Sequence, residues 1–123
     1  MEASVDDLTT RIVKILVDYR YRCLNELDLQ DGIAASIETT LGRAPEREWH
    51  LGRDRLDLFM DGVAIEVKID GPLSSVTRQL HRYAQHPNVK AIVLATTRML
   101  HLNMPAEING KTILVVLLRT SGF

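Results

Sequence analysis

Asp57, Glu66 and Lys68 are the residues whose types and spacing can do chemistry. They lie in the stretch Arg55-Leu-Asp-Leu-Phe-Met-Asp-Gly-Val-Ala-Ile-Glu-Val-Lys-Ile69. Asp61-Gly62 is a two-residue hairpin signal, because a type I′ turn needs φ > 0 at both central positions. With Met60 opposite Val63, the register runs Phe59–Ala64, Leu58–Ile65 and Asp57–Glu66. Two carboxylates then face each other across an antiparallel pair, with Cβ atoms about 5 Å apart. Lys68, two residues past Glu66, projects from the same face. The opposite face, Leu56, Leu58, Met60, Val63, Ile65, Val67 and Ile69, is all core. Like charges directly opposite one another destabilise a sheet. The pattern therefore calls for a cation between them, and a divalent metal is the candidate.

Asp57…Glu66-Val67-Lys68 resembles the signature of the PD-(D/E)xK nuclease superfamily, with Leu56 standing where the Pro of that name would be. Gln79-Leu-His-Arg-Tyr83 follows on an expected helix and resembles the Gln-x-x-x-Tyr motif of the RecB-type and lambda-exonuclease-like branch. Glu38 lies on a helix before the hairpin, where that family places a further acid. The resemblance covers roughly residues 28–97. It implies an α/β, restriction-endonuclease-like α-β-β-β-α-β core, with a mixed central sheet flanked by helices. The first helix and the last strand are then additions to that core.

The implied activity is Mg²⁺-dependent hydrolysis of DNA phosphodiesters, with Mn²⁺ as substitute. Such hydrolysis needs an activated water, charge stabilisation on the phosphate and help for the leaving oxygen, and one or two Mg²⁺ ions supply all three. Mg²⁺ takes hard oxygen ligands and keeps several waters, so one or two carboxylates suffice. Asp57 and Glu66 are those carboxylates. The resemblance adds the Val67 carbonyl as a ligand, and Glu38 as a holder of a ligand water or of a second ion. Lys68 orients or deprotonates the attacking water, or neutralises phosphate charge; a nearby metal would lower its pKa for the second task. Gln79 and Tyr83 share a helix face and, by resemblance, position the site and contact DNA. Arg78 and Arg82 flank them as phosphate contacts.

Two rival functions stand beside this one. The first is a structure-selective, resolvase-like endonuclease acting as a dimer, since a chain this small offers little surface to grip a duplex. The second is a non-catalytic nuclease-fold module that binds DNA or a protein. An RNA-directed nuclease is not separated from these by the residues. The run Ile113-Leu-Val-Val-Leu-Leu118 is more apolar than one buried strand needs and is the candidate dimer interface.

The 123 residues make one domain, with 1–27 as an N-terminal helical extension, 28–97 as the motif-bearing core and 98–123 as a C-terminal strand region. Hydrophobic content of 46% and charge of 25% are those of a globular protein. Cys23 is the single cysteine, which excludes an internal disulfide and fits a reducing, cytoplasmic setting. No apolar run of about 18 residues is present, so no membrane span or secretion is expected. Net charge is −1, so DNA binding must be local. Arg43, Arg47, Arg53, Arg55, Lys68, Arg78 and Arg82 surround the motif. The acidic first 31 residues are the poorer candidates to face DNA.

Periodicity and punctuation give the elements. Ser4 caps a first helix that runs to about Arg22. A second helix starts near Asp28 or Asp31 and ends near Gly42, with Leu29, Ile33, Ile37 and Leu41 inward and Glu38 at the edge of that stripe. Arg47–Leu51 reads as a strand, followed by the hairpin. Ser74 or Ser75 caps a helix that carries Val76, Leu80 and Ala84 inward and stops before Pro87. Val89–Thr96 and Thr112–Leu118 read as strands, with a turn at Asn109-Gly110. Residues 98–105 carry no readable pattern.

Overall fold

The computed structural model describes residues 4–121. Helix α1, Val5–Asp18, opens on Ser4, whose side chain accepts the Asp7 N–H at 3.1 Å. Asp6 and Asp7 complement the positive end of the helix. The helix stops at Asp18 rather than near Arg22. Tyr19 turns extended, and Arg20–Arg22 forms β1. The partner of β1 is β8, Arg119–Ser121, at the other end of the chain. Helix α2, Glu26–Leu41, starts earlier than its apolar stripe implies, because Asn25 accepts the Asp28 N–H at 2.7 Å. It ends on Gly42, whose φ of 80° is the left-handed cap that glycine takes without strain. Cys23 lies between β1 and α2 and is half-buried.

Strands β2 (Glu46–Leu51), β3 (Asp54–Met60) and β4 (Val63–Lys68) form an antiparallel meander. The β3–β4 turn is Asp61-Gly62 as expected, with φ of 46° and 91°. Helix α3, Leu73–Ala84, then crosses to β5, Ala91–Thr96, which lies parallel to β4. Pro72 holds the α3 cap position and makes no side-chain cap bond. The Ser75 hydroxyl donates to the Pro72 carbonyl at 3.1 Å, so neither Ser74 nor Ser75 is the cap. A 3₁₀ helix, Met99–Asn103, fills the segment that had no readable pattern. A short β6, Glu107–Ile108, turns through Asn109-Gly110 into β7, Lys111–Leu117, which is parallel to β5. The main sheet is six-stranded and mixed, in the order β2-β3-β4-β5-β7-β6.

Helices cover both faces of this sheet. Leu8, Ile12 and Leu16 of α1 and Leu29, Ile33 and Ile37 of α2 pack on Leu58, Ile65, Val67, Val93 and Val116. Val76, Leu80, Tyr83 and Ala84 of α3 pack on Leu56, Ala64, Ile92, Leu94 and Ile113. Strands β4 and β5, buried from both sides, lose the polar alternation of a half-exposed sheet. Each buried aliphatic side chain here stabilises the fold by about 1.5–3 kcal/mol. On β7, Leu114 and Leu117 stay exposed. Among the described residues, no helix is long and apolar enough to cross a membrane.

Candidate functional site

The site grows from a break in two strands. Arg47 pairs with Leu58, and Trp49 pairs with Leu56, in one continuous register. Leu58 nevertheless belongs to the α1–α2 face, while Leu56 belongs to the α3 face. Strict alternation would put both on one face, so the expected single apolar face from Leu56 onward is incorrect at Leu56. The switch falls between them, where Glu48 takes a left-handed φ of 52° opposite Asp57. Trp49, half-buried, follows the switch and stacks on Phe59 with ring centroids 3.9 Å apart.

The same switch opens the hairpin. The β3–β4 ladder runs from Met60–Val63 to Leu58–Ile65 and no further. In a two-residue hairpin every second pair exchanges both backbone bonds, so Leu56–Val67 would come next. Instead the Val67 N–H donates to Asp57 Oδ2 at 2.8 Å, and the Asp57 N–H donates to Glu66 Oε1 at 3.3 Å. Asp57 and Glu66 therefore do come together, through side chains in a parted ladder rather than as a regular cross-strand pair. N–H and C=O of one strand residue point the same way, so the Val67 carbonyl faces this opening too.

Glu66 is only 2% exposed. Its Oε2 lies 3.1 Å from the Tyr83 hydroxyl and 3.6 Å from Lys68 Nζ. Gln79 Nε2 donates to the Tyr83 hydroxyl at 2.7 Å, and that hydroxyl also lies 3.1 Å from the Arg55 carbonyl. The Gln79–Tyr83 pair thus docks α3 on the hairpin and fixes one Glu66 oxygen. Burial, and then the Asp57 carboxylate beside it, push the Glu66 carboxyl up to about 8; Lys68 and the Asp57 N–H oppose this and are outweighed. Burial and the neighbouring Glu66 also raise the Tyr83 hydroxyl, which stays protonated as a donor.

Glu38 does not join them. It is exposed, and the direction of α2 explains why. Beyond the helix C-terminus, Arg43 pairs with Asp61 in the hairpin turn. Nearer the N-terminus, Gln30 and Asp31 meet Arg47, which stands beside Leu58. Glu38 is therefore carried toward the turn, which lies four residues, about 13 Å of strand, from Asp57. The three-acid set Glu38, Asp57 and Glu66 is not assembled. Among the described residues, no three acidic, histidine or cysteine side chains come together to hold a metal.

Arg78 and Arg82 are exposed on α3. Arg82 Nε lies 3.1 Å from Asp54 Oδ1, and His86 approaches the other oxygen of Asp54 at 3.5 Å. Two supports gave no signal in the sequence. Gln30, buried on α2, accepts from Arg47 at 3.4 Å. His101, fully buried, bridges the Thr96 hydroxyl at 2.6 Å and the Gly71 carbonyl at 2.8 Å. It ties the end of β5 to the loop that leads into α3. A lone polar residue in a helix has no spacing that announces such a role.

The donor set left at the opening is two carboxylates and one main-chain carbonyl beside an ammonium. That set fits Mg²⁺, which takes hard oxygens and fills its remaining positions with water. Lys68 is the cation beside the buried acid, and it does not outweigh burial and Asp57 at Glu66. Compared with models of protein families, with curated proteins and with solved structures, the chain has no match.

Proposed function

We propose that the chain is a Mg²⁺-dependent deoxyribonuclease of the PD-(D/E)xK superfamily, related to the branch that carries Gln-x-x-x-Tyr. One observation carries the reading. Glu66 is buried against a second carboxylate, with Lys68 and Tyr83 both at its Oε2. A purely structural acid would be stabilised by its surroundings, whereas here burial and Asp57 raise its pKa to about 8. A divalent cation reverses that balance. The element order α2-β2-β3-β4-α3-β5 supports the same reading, as does the contact of Gln79 and Tyr83 with the acid.

Asp57, Glu66 and the Val67 carbonyl would hold the ion, and Mg²⁺ bound there would supply Lewis acidity and a water of lowered pKa. Lys68 points its ammonium at the same carboxylate and orients the attacking water or neutralises the phosphate. Tyr83 keeps Glu66 from rotating, and Gln79 keeps Tyr83 in place. Arg78 and Arg82 face outward from α3, where they contact phosphates. DNA repair, recombination or mobile-element processing would use such chemistry. A dimer through Leu114 and Leu117 belongs to the resolvase form of the proposal, and sedimentation tests it.

The position of Glu38 favours one second reading, a non-catalytic module that binds DNA or protein, because the expected third acid is missing from the opening. The deciding experiment incubates the protein with linear duplex, nicked circle, single strand, four-way junction, flap and RNA, in Mg²⁺, Mn²⁺ or EDTA. Metal-dependent cleavage that disappears in Lys68→Ala supports the nuclease. No cleavage, together with no heat of Mg²⁺ binding, selects the binding module.

A further inference from the structure

Strands β1 and β8 form a two-stranded parallel ribbon beside the main sheet. Its place follows from the ladder. Lys68 pairs with Thr96, and Thr96 pairs with Leu117, so these three residues mark one end of the sheet. Arg119 comes two residues after Leu117, and the Leu118 N–H donates to the Thr96 carbonyl at 2.8 Å. The ribbon therefore sits at the end of the sheet where β4 delivers Lys68.

Arg20 and Arg119 are direct partners across this ribbon. Partners on adjacent strands project to the same side, with backbones about 5 Å apart. Arg22, two residues beyond Arg20, shares its face, and both are exposed while Tyr21 between them is buried. Among the described residues, none of the three arginines pairs with a carboxylate. Arg119 donates to the Asp18 main-chain carbonyl at 2.5 Å, and the Asp18 carboxylate is taken by Lys14 at 2.7 Å. Like charges directly opposite cost stability. This ribbon bears that cost on a firm base, since the Tyr21 hydroxyl bonds Ser36 at 2.8 Å and its ring lies against Gly32.

We propose that Arg20, Arg22 and Arg119 form a phosphate-binding surface. It holds the backbone of a nucleic acid running across the ends of β4, β5 and β7. The class of ligand rests on the nuclease reading of the neighbouring opening; that it is a polyanion rests on the arginines alone. Guanidinium groups match phosphate oxygens in bidentate geometry. The expectation that the first 31 residues avoid DNA is thereby reversed at β1. Of their acids, Asp6 and Asp7 lie at the start of α1 and Glu26, Asp28 and Asp31 on α2, while the Asp18 carboxylate beside β1 is taken by Lys14.

The test measures binding of labelled single-strand and duplex oligonucleotides by fluorescence anisotropy in EDTA, over a range of salt. The parent is compared with the triple variants R20A/R22A/R119A and R20K/R22K/R119K. Each lost phosphate contact makes the salt slope shallower by about 0.7–0.9. The alanine triple is expected to lose about 2–3 in slope and at least about tenfold in affinity at low salt, while the lysine triple keeps most of both. An alanine triple that binds with the parent's affinity and slope overturns the proposal. So does an alanine triple that loses binding only to phosphatidylserine vesicles. Arg22→Ala, whose strand partner is Ser121, repeats the test should the triple unfold. Because binding is read without cleavage, failure to cleave DNA in Mg²⁺ would refute the nuclease reading separately.

Discussion

Asp57 and Glu66 each bind the other strand's main chain: Asp57 Oδ2 accepts from Val67 N–H, and Glu66 Oε1 accepts from Asp57 N–H. Two acids that should repel one another are thus held together by the backbone bonds a regular hairpin would spend on its ladder. The shorter of these, from the Val67 N–H to the Asp57 carboxylate at 2.8 Å, contributes about 1.5–3 kcal/mol, which offsets part of the repulsion. The remainder stays in Glu66.

That remainder has a pH signature. The Glu66 carboxyl has a pKa of about 8 in the fold, against an ordinary value of 4.5. Between those values the folded chain binds more protons than the unfolded one, so stability falls as pH rises through this window. In EDTA the melting temperature is expected to drop from about pH 5 to about pH 8. Glu66→Gln should flatten the profile, and Mg²⁺ should reduce the drop. A parent protein whose melting temperature rises across that range would contradict the assignment.

Lys68→Ala should lower Mg²⁺-dependent cleavage by about 100-fold or more, the usual scale for a group that handles the attacking water. Asp57→Ala should do the same by removing a ligand. Circular dichroism should show both variants folded, since Lys68 and Asp57 are partly exposed. Parent-like cleavage by Lys68→Ala would remove Lys68 from the mechanism.

Tyr83→Phe keeps the ring packed among Leu56, Leu80 and Ala84 but deletes a hydroxyl shared by Gln79, Glu66 and the Arg55 carbonyl. Leaving buried polar partners unsatisfied costs about 1–3 kcal/mol, readable in urea denaturation. Cleavage should also fall, because Glu66 loses the group that fixes its orientation. An unchanged urea midpoint would mean that water replaces the hydroxyl at no cost.

Glu38→Ala is expected to behave like the parent. An exposed residue away from the opening changes stability by no more than about 0.5 kcal/mol, and cleavage should stay within about twofold of the parent. Steady-state cleavage rates decide this, and a loss comparable to that of Asp57→Ala would bring Glu38 back into the site.

The local features were legible because their causes are local. Asp61-Gly62 dictates its own turn, Ser4 and Gly42 cap the helices on either side of them, and Gln79 and Tyr83 share a face because they are one turn apart. The sequence by itself thus determined the hairpin, the two carboxylates and the lysine it carries, and the helix that follows. Tertiary structure decided the rest. β1 is three residues long and becomes a strand only because Arg119–Ser121 lies beside it. Leu56 changes faces where the β2–β3 pairing skips Glu48, which takes a left-handed φ, and no alternation pattern encodes that. Glu38 has the right residue type on an expected helix, yet the direction in which α2 packs carries it toward the turn. The raised pKa of Glu66 depends on α3 closing over it, since a carboxyl is perturbed by the water it loses and the charges it meets, and both are set by distant segments of the chain.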